Sequence, residues 1–316
     1  MNVGRELAIG VDIGGTNLKL GAVWPNGELL AHESVPLQKN PYGQADIRAL
    51  SLHVDRFVQR LPNGCRIAGI GVSCPGILDT SNRKILHAVN LKWENVALDS
   101  FVKPPRDVPV YLEYDALAGA LGEKHYGAAK GLPNFLYVCI GTGIGASLFV
   151  NGEPYRAGIV SSLNLGHMSI AFDGLPCTCG NKGCLEKYVS APAMRMKLNG
   201  EAQSPGGGPD SDLLQSAAQA AASGDPQAAE LFRDAGQKLA AGLVNCMQLF
   251  GVTAVVIGGG VSQAGSLLLD PVRDELAARY RYAVSPVELV LAKFPTLAGV
   301  MGAAATVFAE EKLNDE

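Results

Sequence analysis

Two related α/β lobes, with the loops after their strands facing a shared cleft, are what this sequence leads one to expect. Strand–glycine-loop units recur in both halves, as VDIGGTN (11–17), CIGTGIG (139–145) and VIGGGVS (256–262). Runs with helical spacing of apolar residues separate them. The chain has 316 residues, 47% apolar and 18% charged, which suits one large or two ordinary domains with a sizeable core.

Each element has a local reason. LAIGVDIGGT is an apolar run ended by glycines, and LKLGAVW and ELLAHESV flank a Pro25-Asn26-Gly27 turn. Residues 44–60 read as a helix. RIAGIGVSCPG is a strand that stops at Pro75-Gly76, and VPVYLEYDALAGALGEKHYG is a strand that runs into a helix with Asp115 at the junction. In the second half, NFLYVCIGTGIGASLFVNGEPY holds two strands with glycines between them and an Asn151-Gly152 turn after them. Residues 212–250 form two Ala- and Leu-rich helices, TAVVIGGGVS is a buried strand opening into a glycine turn, and LLLDPVRDELAARY is helical. PTLAGVMGAAATVFAEE closes the chain as a helix with small residues on one face. The low-complexity stretch NGEAQSPGGGPD (199–210) reads as a loop. Identity between the halves is too weak to establish a repeat from the letters alone.

Charge and cysteine usage narrow the function. A net charge of −4 and a pI near 5.8 argue against a nucleic-acid partner, which usually demands a basic surplus. No stretch has the length of a membrane span, and the N-terminus lacks the basic-then-apolar layout of a secretion signal. A cytoplasmic, reducing location is expected, where seven cysteines serve as metal ligands or structural thiols before disulfides.

The loops suggest chemistry. In Asp12–Asn17, Gly14 and Gly15 let backbone N–H groups approach phosphate oxygens, Thr16 adds a hydroxyl, and Asp12 can hold Mg²⁺; the same letters also suit a plain tight turn. GTGIGAS (141–147) mimics a dinucleotide fingerprint, but a strand and not a helix follows it, so a second phosphate loop with Thr142 and Gly143 remains. The Gly258-Gly259-Gly260 loop after a buried strand suits either close backbone approach to a nucleotide base or ribose or a packed strand–helix turn. Two such loops around an acidic strand end, without a Walker motif, point to ATP-dependent phosphoryl transfer. Asp115 could take the proton of a substrate hydroxyl, or simply cap its helix. GHMSIAFDGLPCTCGNKGCLEKY (166–188) could be a disulfide knot, a zinc module that reads nucleic acid, or a clamp inside an enzyme.

The set DIGGTN, YDALAGALGE, IGTGIGASLFVNG, GHMSI, CTCGNKGCLE and VIGGGVS resembles the ROK family of sugar kinases and sugar-responsive repressors, over nearly the whole chain. The resemblance implies a two-lobed actin/hexokinase-like (ribonuclease H-like) α/β fold with an interlobe cleft, in dimers or tetramers. A smaller lobe would span 1–115, completed by a C-terminal helix at 300–316, and a larger lobe 116–299. By the resemblance, His167, Cys177, Cys179 and Cys184 hold one structural Zn²⁺, which makes the segment a clamp inside an enzyme. It makes Asp115 the base, Asp12, Gly14, Gly15, Thr16, Thr142 and Gly143 the phosphate and Mg²⁺ positions, and Gly259 with Gly260 the nucleoside side. It places Gly76, Glu186 and His167 against the sugar.

Two departures stand out. Family kinases for glucose usually carry Asn-Asp at the catalytic position and E-x-G-H before the zinc site; here these are Tyr114-Asp115 and Asn164-Leu165-Gly166-His167. Both altered positions read ring hydroxyls, so an ATP-dependent kinase for an amino sugar, epimer or cyclitol is expected, with glucose not preferred. A catalytically silent sugar-binding protein is the alternative. Repressors of the family carry a helix-turn-helix segment ahead of the first strand, where this sequence has only a few residues, so a DNA-binding role is not expected.

Overall fold

In the computed structural model, residues 6–100, 102, 108–156, 163–199, 211–281 and 286–314 are described. The segment 200–210, most of the expected low-complexity loop, lies outside them. The chain divides into two compact units, one holding the described residues of 1–131, 155–162 and 297–316, the other those of 132–154 and 163–296.

The first unit begins with strands β1 (Glu6–Ile13), β2 (Asn17–Val23) and β3 (Leu29–Pro36), then helix α1 (Ile47–Gln59) and β4 (Arg66–Cys74). Three short strands follow, β5 (Ile77–Asp79), β6 (Lys84–Ala88) and β7 (Trp93–Ala97), before β8 (Val110–Tyr114) and α2 (Asp115–Tyr126). The second unit carries β9 (Phe135–Ile140), β10 (Ile144–Val150), β11 (Glu153–Pro154), α3 (Glu186–Val189), α4 (Ala191–Asn199), α5 (Ser211–Ala222), α6 (Pro226–Phe250), β12 (Ala254–Gly258), α7 (Ser266–Arg279) and β13 (Glu288–Leu291). The closing helix α8 (Ala298–Asn314) belongs to the first unit.

Each unit has a five-stranded mixed sheet, ordered β3-β2-β1-β4-β8 in the first and β11-β10-β9-β12-β13 in the second. The pairings match throughout: the first three strands form an antiparallel meander, and the other two join parallel to it. The internal relation that the letters only suggested is therefore explicit in topology. Central strands such as β1 and β12 are almost continuously buried, as expected where helices cover a sheet.

Local signals set the helix ends. Asp46 caps α1 by accepting from the Arg48 and Ala49 N–H groups. Helix α6 starts on Asp225 with Pro226 in its first turn and stops on Gly251 in the left-handed conformation. The small residues of α8 allow backbone contact on two sides. A Cβ at Gly71 of β4 would lie 1.8 Å from Ala303 O, and one at Gly302 would lie 1.5 Å from Ala118 O of α2.

That seam moves the expected lobe boundary. Helix α2, assigned to the larger lobe by the sequence reading, packs along α8 and lies in the first unit, which runs on through 131. The antiparallel sheet β5-β6-β7 was not anticipated at all.

Candidate active site

In the first unit Asp12, Lys19 and Ser73 come together where β1 and β4 end and β2 begins. Asp12, one residue before the end of β1, accepts a hydrogen bond from Ser73 Oγ of β4 at 3.0 Å and faces Lys19 Nζ of β2 at 3.5 Å. Gly299, near the start of α8, leaves room for this carboxylate, since a Cβ there would come within 2.6 Å of it. The Gly14–Thr16 loop is closed by the Gly14 N–H donating to Asn17 O at 2.9 Å. Thr16 is exposed, and Asn90 stands opposite Gly15, whose Cβ position is 3.5 Å from Asn90 Cβ. Gly76 has φ +119°, and a Cβ there would meet His87 O at 2.3 Å, so the loop after β4 needs a glycine to lie on β6.

Asp115 is the first residue of α2. The N-cap position belongs to Tyr114, which makes no side-chain cap, so the capping alternative does not describe the aspartate. Its carboxylate accepts the Ala116 N–H at 2.7 Å and is exposed, so water reaches it. The surrounding protein mass nonetheless penalises the charged form and raises the pKa to about 6. The Ala116 N–H pulls it down and the Asp12 charge pushes it up, while solvent access tempers the shift. Cys74, at the end of β4, is buried, and desolvation followed by the charges of Asp115 and Asp12 keeps it a neutral thiol.

Tyr114 takes an unexpected place. Its ring is 2% exposed and its hydroxyl donates to Leu78 O at 2.9 Å. The expected direct contact with a sugar gives way to a buried tie between β8 and β5.

In the second unit, the Gly141–Gly143 turn is closed by the Gly141 N–H donating to Gly143 O at 2.9 Å, with Thr142 exposed at its tip. Glu186, the first residue of α3, accepts the Ile144 N–H at 3.0 Å, and a Cβ at Gly143 would lie 2.5 Å from its carboxylate. Asn164 is exposed and precedes a short 3₁₀ turn, Leu165–His167. Gly259, φ +85°, is buried and committed. Its N–H donates to Pro295 O at 3.0 Å, its carbonyl accepts from Ser262 Oγ at 2.7 Å, and a Cβ would strike Ile140 O at 2.3 Å. Only Gly260 of the pair is exposed.

The ligand atoms of His167, Cys177, Cys179 and Cys184 all lie within 4.8 Å of one another. Cys177 Sγ is 3.7 Å from His167 Nδ1, and Cys179 Sγ is 3.6 Å from Cys184 Sγ. Tetrahedral zinc with Zn–S bonds of about 2.3 Å needs ligand–ligand edges of about 3.8 Å, so the donor set fits that metal. Burial alone would raise the Cys177 pKa, but hydrogen bonds from the Cys179 N–H and the neighbouring thiols and imidazole bring it down to about 7; burial and the same thiols drive Cys184 up to about 12.

The ROK family profile matches residues 8–310. The chain belongs to the ROK family. Among ROK proteins it is 31% identical to the glucokinase of Streptomyces coelicolor, over 94% of this chain and 96% of that one. It is also 31% identical to the xylose repressor of Bacillus spizizenii, over 86% of this chain and 69% of the repressor. Its fold is similar to that of a ROK glucokinase from Streptomyces griseus solved with glucose and AMPPNP, with a TM-score of 0.78, 30% identity, and 95% and 98% of the two chains covered. The fold is the actin/hexokinase-like fold of ROK sugar kinases.

Sequence reasoning missed Ser73, Lys19 and Asn90. Lys19 was accessible to a register argument, because a hairpin turning at 14–17 sets it opposite Asp12. Ser73 and Asn90 had no such signal, since both depend on contacts distant in sequence.

Proposed function

We propose that this protein is an ATP-dependent kinase that phosphorylates a hydroxyl of a small sugar or sugar-like polyol, working in the cytoplasm as a homodimer or homotetramer. The observation that carries the reading is Asp115, a solvent-reachable carboxylate of raised pKa at the start of a helix, beside the charge of Asp12. The substrate oxygen would attack the γ-phosphorus as the bond to the β–γ bridging oxygen breaks, giving ADP and the sugar phosphate. Asp115 would orient the hydroxyl and take its proton late in the transfer.

Asp12 is suited to Mg²⁺, which needs few protein carboxylates because waters and phosphates complete its shell. When bound, it neutralises phosphate charge. Gly14, Gly15, Thr16, Thr142 and Gly143 would offer donors to phosphates, and Gly260 would face the nucleoside. Glu186, His167 and the Gly76 loop would contact the sugar. Zn²⁺ on His167 and the three cysteines would do no chemistry, because four protein ligands leave no open position.

Glucose is not the preferred substrate in this reading. Asn164 offers a neutral hydrogen bond where a carboxylate would give a charge-assisted one, about 1 against roughly 1.5–3 kcal/mol. Tyr114 turns into the core and supplies no amide to the sugar. Together these cost glucose about 1.5–3 kcal/mol, roughly 10- to 140-fold in affinity. ADP release measured over glucose, its epimers, amino sugars and cyclitols tests this. A glucose kcat/KM equal to or above all the others would refute the specificity claim. Similarity to a xylose repressor favours a second reading, a silent sugar-binding protein, in which sugar binds and no ADP forms.

A further inference from the structure

Glu113, Tyr114 and Asp115 are consecutive at the β8–α2 junction, and each side chain is committed differently. Asp115 meets solvent and Tyr114 ties to β5, while Glu113 is 4% exposed. A buried carboxylate is costly unless it is paired and hydrogen-bonded. Here it receives Arg156 through both terminal nitrogens, at 2.6 and 3.4 Å, and also accepts the Tyr114 N–H at 3.0 Å. Arg156 comes from a distant part of the chain, two residues past β11, where the backbone re-enters the first unit.

Net stability is a weak explanation for such a pair, because apolar residues of equal volume often serve as well. What a forked Arg–carboxylate contact adds is a fixed orientation. The peptide it fixes, between Glu113 and Tyr114, is the last one within the strand, one residue before the helix. Strand β8 is the edge of its sheet, and Tyr114 at φ −67° and ψ 140° is the residue at which strand becomes helix. Holding the Tyr114 N–H sets the direction in which α2 leaves, and with it the position of the Asp115 carboxylate.

We propose that Glu113 and Arg156 form a positioning pair, acting through the Tyr114 peptide to hold Asp115 in line with the substrate hydroxyl. The inference rests on the reading of Asp115 as base. It is an effect of geometry and not of charge, since burial, the Ala116 N–H and Asp12 are the influences that move the Asp115 proton.

The test uses the full chain with ATP and whichever of glucose, mannose, N-acetylglucosamine, N-acetylmannosamine or myo-inositol it turns over fastest. Glu113→Gln keeps an acceptor oxygen and loses the charge; Arg156→Lys keeps the charge and loses the fork. Each is expected to lower kcat about 10- to 100-fold, the cost of a misplacement near 1 Å. Both KM values should stay within about twofold, and the acid limb of kcat should not move. The double variant should be no worse than the weaker single one, because both break the same contact. Unchanged kcat in both singles overturns the proposal. So does a loss that follows KM and melting temperature, a displaced acid limb, or singles whose effects multiply. If Glu113→Gln does not fold, Arg156→Lys decides alone, since that side chain is 44% exposed. Wild type inactive on all five compounds overturns the kinase reading for them and this inference with it; active wild type with unimpaired variants overturns only the positioning role.

Discussion

In the first unit the hairpin β1–β2 turns between Ile13 and Leu18; in the second, β9–β10 turns between Ile140 and Ile144, one residue tighter. Both hairpins lie at the same place in sheets of the same order. The residue one before the end of the first strand is Asp12 in one and Cys139 in the other, and their partners on the parallel neighbour are Ser73 and Gly258. The first turn is therefore ringed by a carboxylate, a hydroxyl and an ammonium. The second is backed by Glu186, which grips the Ile144 N–H. One scaffold carries a cluster of charged and hydroxyl side chains beside one turn and a glycine turn held by a single carboxylate beside the other. The comparison teaches that matching glycine loops do not carry matching chemistry; the strand residues beside them decide it.

The variants that probe the comparison fall in order of expected size. Asp115→Asn, on the charged unit, should lower kcat by about 10²–10⁴ while nucleotide and zinc binding persist, the usual share of general acid–base catalysis. Near-full turnover in steady-state assays would remove the assignment. Asp12→Asn should raise the Mg²⁺ concentration for half-maximal rate by at least the 10- to 100-fold typical of losing a supporting group at a metal site. Cys139→Ser, its counterpart, should leave that titration unchanged. Equal effects of the two would erase the distinction between the hairpins.

Smaller effects sharpen the contrast. Cys179→Ser should raise the sugar KM about tenfold, or about 1.4 kcal/mol, with the ATP KM little changed, because the cluster includes His167 and Glu186 follows Cys184 by two residues. Elemental analysis without zinc, or a disulfide within the cluster, would contradict the clamp. Asp115 with its pKa raised to about 6 must be ionised to act, so rate is full above that pH and falls about tenfold per unit below it. A flat profile down to pH 5 would contradict the base. Thr142→Ala should weaken ATP by about 1 kcal/mol, roughly fivefold, as for one neutral hydrogen bond.

Much of this arrangement was legible in the letters because glycines and apolar runs mark strand ends directly. The Asp12 loop, the second turn and the strand-to-helix junction at Asp115 all lie where local pattern placed them. The region 77–97 was not legible. Its strands are short, and Arg83, Lys92 and Asn95 adopt left-handed backbone without the glycines that usually announce it. Tyr114 failed for a different reason. A residue beside a candidate base reads as a ligand contact, and only the fold reveals that its hydroxyl is spent on Leu78 O. Gly259 likewise read as a nucleotide loop, yet its backbone is spent on Pro295 and Ser262.

Product stoichiometry tests the central claim most directly. The full chain would be incubated with ATP, Mg²⁺ and the panel of hexoses, amino sugars and cyclitols, and the products resolved by mass spectrometry. The account predicts one sugar or polyol phosphate formed per ADP, on a compound other than glucose, and no such product from Asp115→Asn above background. Sugar bound tightly in the presence of ATP, with neither ADP nor phosphorylated sugar formed across the panel, would contradict it.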